Sequence, residues 1–132
     1  MKIAVITNGS DTISQHFGRA THYLVATIEN DQIINRELRE KINHYQLQDV
    51  PHDHDQPGQK HGMGKQSHEK HLQMTEPIQD CEVLICRGMG LGAFESVKTR
   101  GIRPILTDIK MVDDALQAFI KGELVNRVDL LH

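Results

Sequence analysis

Apolar and polar positions along this 132-residue chain fall into short runs and one long interruption. Lys2–Thr7 is an almost unbroken apolar run of strand length, closed by the turn cluster Asn8-Gly9-Ser10-Asp11. His22–Glu29 (HYLVATIE) concentrates aromatic and β-branched residues, and Asn30-Asp31 leads from it into Gln32–Arg39. Two such runs joined by Asn-Asp predict an antiparallel hairpin. From about residue 41 to 66 periodicity disappears, and the segment holds Pro51, Pro57, Gly58, Gly62 and Gly64. A loop of that length is usually functional or disordered. Ser67 is placed to cap a short helix running towards Glu76 and ended by Pro77.

Beyond that point the pattern is regular. Cys81–Cys86 (CEVLIC) reads as a short apolar strand, and Arg87-Gly88-Met89-Gly90 as a glycine turn. Leu91, Phe94 and Val97 form a helical stripe with Gly101 as its stop, and Arg103–Thr107 is another strand. Met111–Lys121 carries an apolar face ended by Gly122, and the tail ELVNRVDLL is either a further strand or a packed extension. The order β-β-β-α-β-α-β-α predicts an α/β domain with a mixed sheet of about five strands and helices on both faces. Its last two strands run parallel to the first, because helices connect them. Ligands in such sheets sit beyond the carboxyl ends of strands where the strand order reverses. If the first strand neighbours Cys81–Cys86, that crevice lies between the loops Asn8–Arg19 and Arg87–Gly92.

Length allows a single domain over residues 1–132. A net charge of −3 supplies no basic field for a nucleic-acid backbone, so a general DNA or RNA binder is not expected. The apolar run in MKIAVIT is too short for a signal peptide, and no run approaches the ~20 residues of a membrane span. Across an extended segment Cys81 and Cys86 would stand ~16 Å apart, too far for a disulfide. A reduced, cytoplasmic protein is therefore expected.

Three stretches carry candidate chemistry. Gly88-Met89-Gly90-Leu91-Gly92-Ala93 satisfies G-x-G-x-x-A between a strand and a helix, with Asp108 twenty residues after Gly88. That approximates a dinucleotide fingerprint, but it falls in the last third of a small chain, where nothing remains to hold a substrate. The plainer alternative is a tight turn that packs helix on strand. Under either reading, N–H groups at the helix start can cradle an anion. Ser14-Gln15-His16-Phe17-Gly18-Arg19-Ala20 sets an imidazole beside a fixed positive charge. Pro51–His71 holds five of the nine histidines: His52, His54, His61, His68 and His71. With Asp53 and Asp55 they form a donor set suited to zinc, nickel, copper or iron, although His68-Glu69-Lys70-His71 misses H-E-x-x-H by one residue. A polar, disordered loop is the competing reading.

Taken together, S-x-H-F-G-R-A after the first strand, then the hairpin, the histidine-bearing loop and DCEVLICRGMGLGAFESVKTRGI resemble one family along nearly the whole chain. That family is the dinitrogenase iron-molybdenum cofactor biosynthesis family, which includes NifX-type carriers and the C-terminal domain of NifB. The resemblance implies a ribonuclease-H-like, three-layer α/β/α fold. It implies a non-catalytic binder or carrier of an iron-sulfur or iron-molybdenum-type cluster, with a cofactor-assembly protein as partner. Position by position, His16 becomes a candidate cluster ligand and Arg19 a source of positive charge. Arg87, Gly88, Met89, Gly90 and Gly92 become the anion cradle, and Cys86 a candidate thiolate. The loop histidines remain auxiliary candidates, and a metal-buffering or metal-sensing protein using zinc or nickel there is the rival function. A nucleotide-binding enzyme ranks last, for no acid, base or nucleophile converges on the glycine loop. A nuclease is not expected either, because Lys2–Thr7 carries no carboxylate to hold metal ions.

Overall fold

A computed structural model describes residues 1–41 and 73–131. Strands β1 (Lys2–Thr7), β2 (His22–Glu29), β3 (Gln32–Glu40), β4 (Val83–Cys86) and β5 (Arg103–Leu106) form one sheet in the order β3-β2-β1-β4-β5. Helices α1 (Leu91–Thr99) and α2 (Val112–Ile120) follow β4 and β5. β1–β2 and β2–β3 are antiparallel, whereas β1–β4 and β4–β5 are parallel. The mixed five-stranded sheet expected from the sequence is therefore present, and β1 does neighbour β4. The predicted Ser67 cap and the aperiodic segment after Lys41 lie outside the described residues. Residues 73–75 are helical and tighten into the 3-10 turn Glu76–Ile78, which contains Pro77. The α-helical part thus stops two residues before the proline, and the chain carries on through it.

The uninterrupted apolar runs have a simple cause. Every residue from Ile3 to Thr7 is buried, as is every residue from Val83 to Cys86, so the central strands are covered on both faces. Arg36 and Arg39, three apart on β3, point to opposite faces of the sheet. Arg36 pairs with Asp113 of α2. Arg39 instead donates to the Pro77 carbonyl at 2.7 Å and grips Asp80 with both terminal nitrogens, at 2.7 and 3.1 Å. These bonds place α2 on one face and the 73–80 turn on the other. Tyr23, fully buried on the second face, donates its hydroxyl to the Met74 carbonyl at 2.6 Å. Arg100, at the end of α1, donates to Thr75 Oγ1 at 2.9 Å, which joins α1 to the same layer. No helix among the described residues is long and apolar enough to cross a membrane.

Local chemistry fixes the ends of the elements. Asn30 and Asp31 both have positive φ (52° and 62°), the type I′ turn that matches the twist of a hairpin. Both helices end on a glycine in the left-handed region, Gly101 (φ 86°) and Gly122 (φ 74°). In α1 the Gly101 N–H bonds to Lys98 O and the Ile102 N–H to Val97 O. In α2 Gly122 and Glu123 bond to Phe119 O and Ala118 O in the same way. This is the Schellman arrangement, which satisfies the last carbonyls and turns the chain. The tail is a packed extension: Arg127 N–H bonds to Leu106 O, and Asn126 Oδ1 accepts from Leu106 N–H at 2.9 Å.

The Tyr23–Met74 bond gives a test of how the 73–78 turn is held. Tyr23→Phe leaves a buried carbonyl without its donor and is expected to cost ~1–2 kcal/mol. Urea unfolding of the two proteins checks this, and an unchanged midpoint would show that the bond contributes nothing.

Candidate functional site

β1 and β4 lie side by side, Ile3 opposite Val83 and Val5 opposite Ile85. The chain leaves β1 towards one edge of the sheet and β4 towards the other, so the strand order reverses between them. The loop after β1 is built from its own bonds. Thr7 Oγ1 donates to Ser10 O at 2.9 Å and accepts from Ser10 N–H at 3.2 Å, closing a tight turn. Ile13 N–H bonds to Lys110 O at 2.8 Å and Ser14 N–H to Ile6 O at 3.0 Å, tying the loop to the approach of α2 and to β1. Ser14 Oγ donates to His16 O at 3.3 Å, and Phe17–Arg19 form a 3-10 turn. Phe17 is buried as the anchor of this turn, while His16 and Arg19 are exposed.

The glycine turn after β4 meets that loop directly. Phe17 N–H donates to Gly88 O at 3.1 Å, which joins the two loops backbone to backbone. Gly88 and Met89 are buried, and Met89 bridges to Leu131 of the tail. Arg87 and Gly90 are half-buried, and Gly92 is exposed. Gly90 is the extended N-cap of α1 (φ −78°, ψ 158°) with no side-chain cap bond. Phe94 N–H to Gly90 O, at 3.0 Å, is the first bond of the helix. The amides of Leu91, Gly92 and Ala93 therefore precede the intrahelical ladder, where a helix offers donors and a partial positive charge to an anion.

The two loops thus meet at the Phe17–Gly88 bond, which sets the turn holding His16 and Arg19 beside the turn Arg87–Gly92. Cys86 ends β4 but has no solvent exposure, and burial pushes its thiol pKa well above the ordinary range. In this state it is a protonated, small apolar side chain of the core. Cys81 is also pushed up, to about 12, by burial and then by the Asp80 carboxylate. Among the described residues no three His, Cys, Asp or Glu side chains gather as a metal ion would require. His52, His54, His61, His68 and His71 lie outside the described residues. Asp108, the acid of the fingerprint reading, is engaged by Arg127 Nη1 at 2.9 Å.

One residue at this edge carried no signal in the sequence. Lys41 follows β3 directly and is 4% exposed. Its Nζ donates to Ala20 O at 3.3 Å and stands 4.5 Å from the centroid of the Phe17 ring. It therefore supports the His16–Ala20 turn from beneath. Desolvation lowers its pKa from 10.5 to about 8, with the nearby Cys86 opposing the shift. A lone lysine at the head of a polar segment has no period that marks it as buried.

The family model for dinitrogenase iron-molybdenum cofactor proteins matches residues 1–122. An uncharacterized protein of Methanocaldococcus jannaschii is 25% identical over 124 residues, covering 94% of this chain and 89% of its own. The apo form of the orange protein from Desulfovibrio gigas superposes with a TM-score of 0.66 at 20% identity, covering 96% of this chain and 92% of that one. The crystal structure of the protein PH0822 gives a TM-score of 0.60 at 24% identity, covering 98% and 97%. At these identities the two structures share a fold with this chain.

The burial of Lys41 predicts a pH dependence of stability. A folded-state pKa of about 8 lies below the unfolded value, so between pH 8 and 10.5 the unfolded chain binds more protons and stability rises with pH. Below pH 8 the full cost, ~3 kcal/mol at 1.36 kcal/mol per pKa unit, is present. Lys41→Met is therefore expected to be more stable than wild type at pH 7, with the difference shrinking towards pH 10.5. Urea unfolding of both proteins at the two pH values measures it; a difference that stays constant contradicts the assignment.

Proposed function

Because the chain belongs to the dinitrogenase iron-molybdenum cofactor family, we propose that it carries an iron-sulfur or mixed-metal sulfide cluster as cargo, without turnover of its own. The observation that carries this reading is the Phe17 N–H to Gly88 O bond, which holds the His16–Arg19 turn against the glycine turn. A metal-sulfide cluster is an anion that brings most of its own ligands. The residues at this crevice suit such a group. The amides at the start of α1 and the guanidinium groups of Arg19 and Arg87 complement negative charge. His16 brings an imidazole, a ligand type that iron accepts. Exposure of His16 and Arg19 suits hand-over, since a cargo gripped from one side can be taken by a partner on the other.

A cofactor-assembly protein is the partner this reading calls for, in the reducing cytoplasm. The fold reading that accompanies it is ribonuclease-H-like. The antiparallel meander β1-β2-β3, extended by parallel β4 and β5 and covered on both faces, supports it.

Anaerobic reconstitution with iron and sulfide tests the proposal. Wild type is expected to develop visible charge-transfer absorption, and His16→Ala to lose most of it while keeping its circular dichroism spectrum. No chromophore in either folded protein would sink the carrier reading. A chromophore undiminished in His16→Ala would remove His16 from the ligand set.

A further inference from the structure

We propose that the outer edge of β3 pairs with β3 of a second copy of this chain, antiparallel and in one register, centred on Leu38. Among the described residues β3 is the last strand of the sheet on its side, and none of its nine residues is buried. Its backbone direction follows from the ladder to β2. Lys41 N–H bonds to Thr21 O at 2.9 Å, and β2–β3 continues in the same register with Glu40 opposite His22 and Leu38 opposite Leu24. In an antiparallel pair, hydrogen-bonded and non-bonded positions alternate. Arg39 and Glu37 therefore direct their amides and carbonyls towards β2, while Arg36, Leu38 and Glu40 direct theirs outward. β1–β2 agrees: Ile28 N–H bonds to Met1 O, so even-numbered β2 residues bond to β1 and odd-numbered ones face β3.

A two-fold axis through this edge sets each residue opposite another of the same strand, and side chains decide which centre is tolerated. Centring on Arg36, Glu37, Arg39 or Glu40 would put two like charges face to face on the axis, which is destabilising. Centring on Leu38 places Arg36 opposite Glu40 of the second copy, and Glu37 opposite its Arg39. Centres before Arg36 pair no opposite charges along QIINRELRE. The Leu38 register also satisfies the backbone, since Arg36, Leu38 and Glu40 are the residues whose amides face out.

An apolar contact completes the match. Leu38 is 51% exposed, and beside it across the hairpin lies the half-buried Leu24. Pairing at Leu38 would set four leucines in a row across the joint, on the face that carries α2. Existing ion pairs do not forbid it. Arg36 uses Nη1 for Asp113, and Glu37 accepts from Arg39 Nε through Oε2, leaving other donors and an acceptor oxygen. The joint lies two strands away from the β1–β4 crevice, so it is independent of what that crevice holds.

Alternating charge on an edge strand also serves to keep edges apart, and register separates the two roles. Directly opposed, hydrogen-bonded residues have Cα atoms ~5.5 Å apart, within disulfide range. Under mild oxidation of the full chain, Leu38→Cys is expected to form a covalent dimer. Glu40→Cys alone should not, because its copies lie four residues out of register, yet it should cross-link when mixed with Arg36→Cys. Wild type, whose Cys81 and Cys86 are buried, gives the background. In sedimentation, wild type should approach twice its 15.0 kDa mass as concentration rises, and Glu40→Arg should lose that association. A wild-type monomer at every concentration, or equal cross-linking by Leu38→Cys and Glu40→Cys alone, overturns the proposal.

Discussion

The parallel pairing of β1 with β4 is the constraint on which the rest of the molecule hangs. Parallel neighbours cannot be joined by a tight turn, so the chain between them must leave the sheet and return by a crossover. It does so by way of the β2–β3 hairpin and the 73–80 turn. Ile3, Ala4, Val5, Ile6, Leu84 and Ile85 have no exposed surface, and each large aliphatic side chain so buried contributes ~2 kcal/mol. Both faces of these strands are packed, so a slip would leave the same residues buried but exchange the neighbours each one fits, and close packing is what pins the register. With β1 and β4 fixed, the loops that leave their carboxyl ends are forced together, and the Phe17–Gly88 bond records that contact.

Weaker interactions close the layers around this pair. The Arg39–Asp80 fork, with Lys2 on the same carboxylate at 3.0 Å, links β3, β1 and the approach to β4. The guanidinium holds the Asp80 carboxyl well below the usual carboxylate range. At this exposure such a pair contributes only ~1 kcal/mol or less, so its role is geometric: it sets where the 73–80 turn lies. The buried Lys41 works in the other direction. Holding its amine under Phe17 and Ala20 costs more than any surface ion pair returns. The turn that presents His16 therefore rests on a side chain whose charged form opposes folding.

Much of this was legible in the residues, and the unread part has physical reasons. Strand runs, glycine stops and the Asn30-Asp31 turn are local: each depends on a few neighbours whose periodicity or backbone freedom is written in sequence. The closeness of His16–Ala20 to Gly88 followed from strand order, which the crossover rules restrict. The burial of Lys41 and the Tyr23–Met74 bond are different, because they join residues 21 to 51 positions apart through packing that no period encodes. Cys86 shows a further limit. Its position at the end of β4 fits a ligand as well as a core residue, and only its complete burial shows how it is used in this state. Within Pro51–His71 the histidine spacings matched no closed site, and that segment lies outside the described residues.

The proposed cargo is an anion, and charge distribution bears on how an acidic chain would hold one. The net charge is −3, so a uniform distribution would repel a negatively charged cargo. The acids are not uniform. Between Asp11 and Glu29 there is no acidic residue, and between Glu82 and Glu95 there is none. These two gaps contain the Thr12–Arg19 part of the first loop and all of Arg87–Gly92, with His16, Arg19 and Arg87 inside them, while Asp11 stands near the start of the first loop. Several acids elsewhere stand beside arginines: Asp80 with Arg39, Asp113 with Arg36, and Asp108 and Asp129 with Arg127. At physiological salt, fields from exposed charges fade within ~8 Å, so the charges near a surface count for more there than the net total. The sequence therefore keeps carboxylates out of the His16–Ala20 turn and the Arg87–Gly92 turn, and the β1–β4 pairing is what makes those turns neighbours.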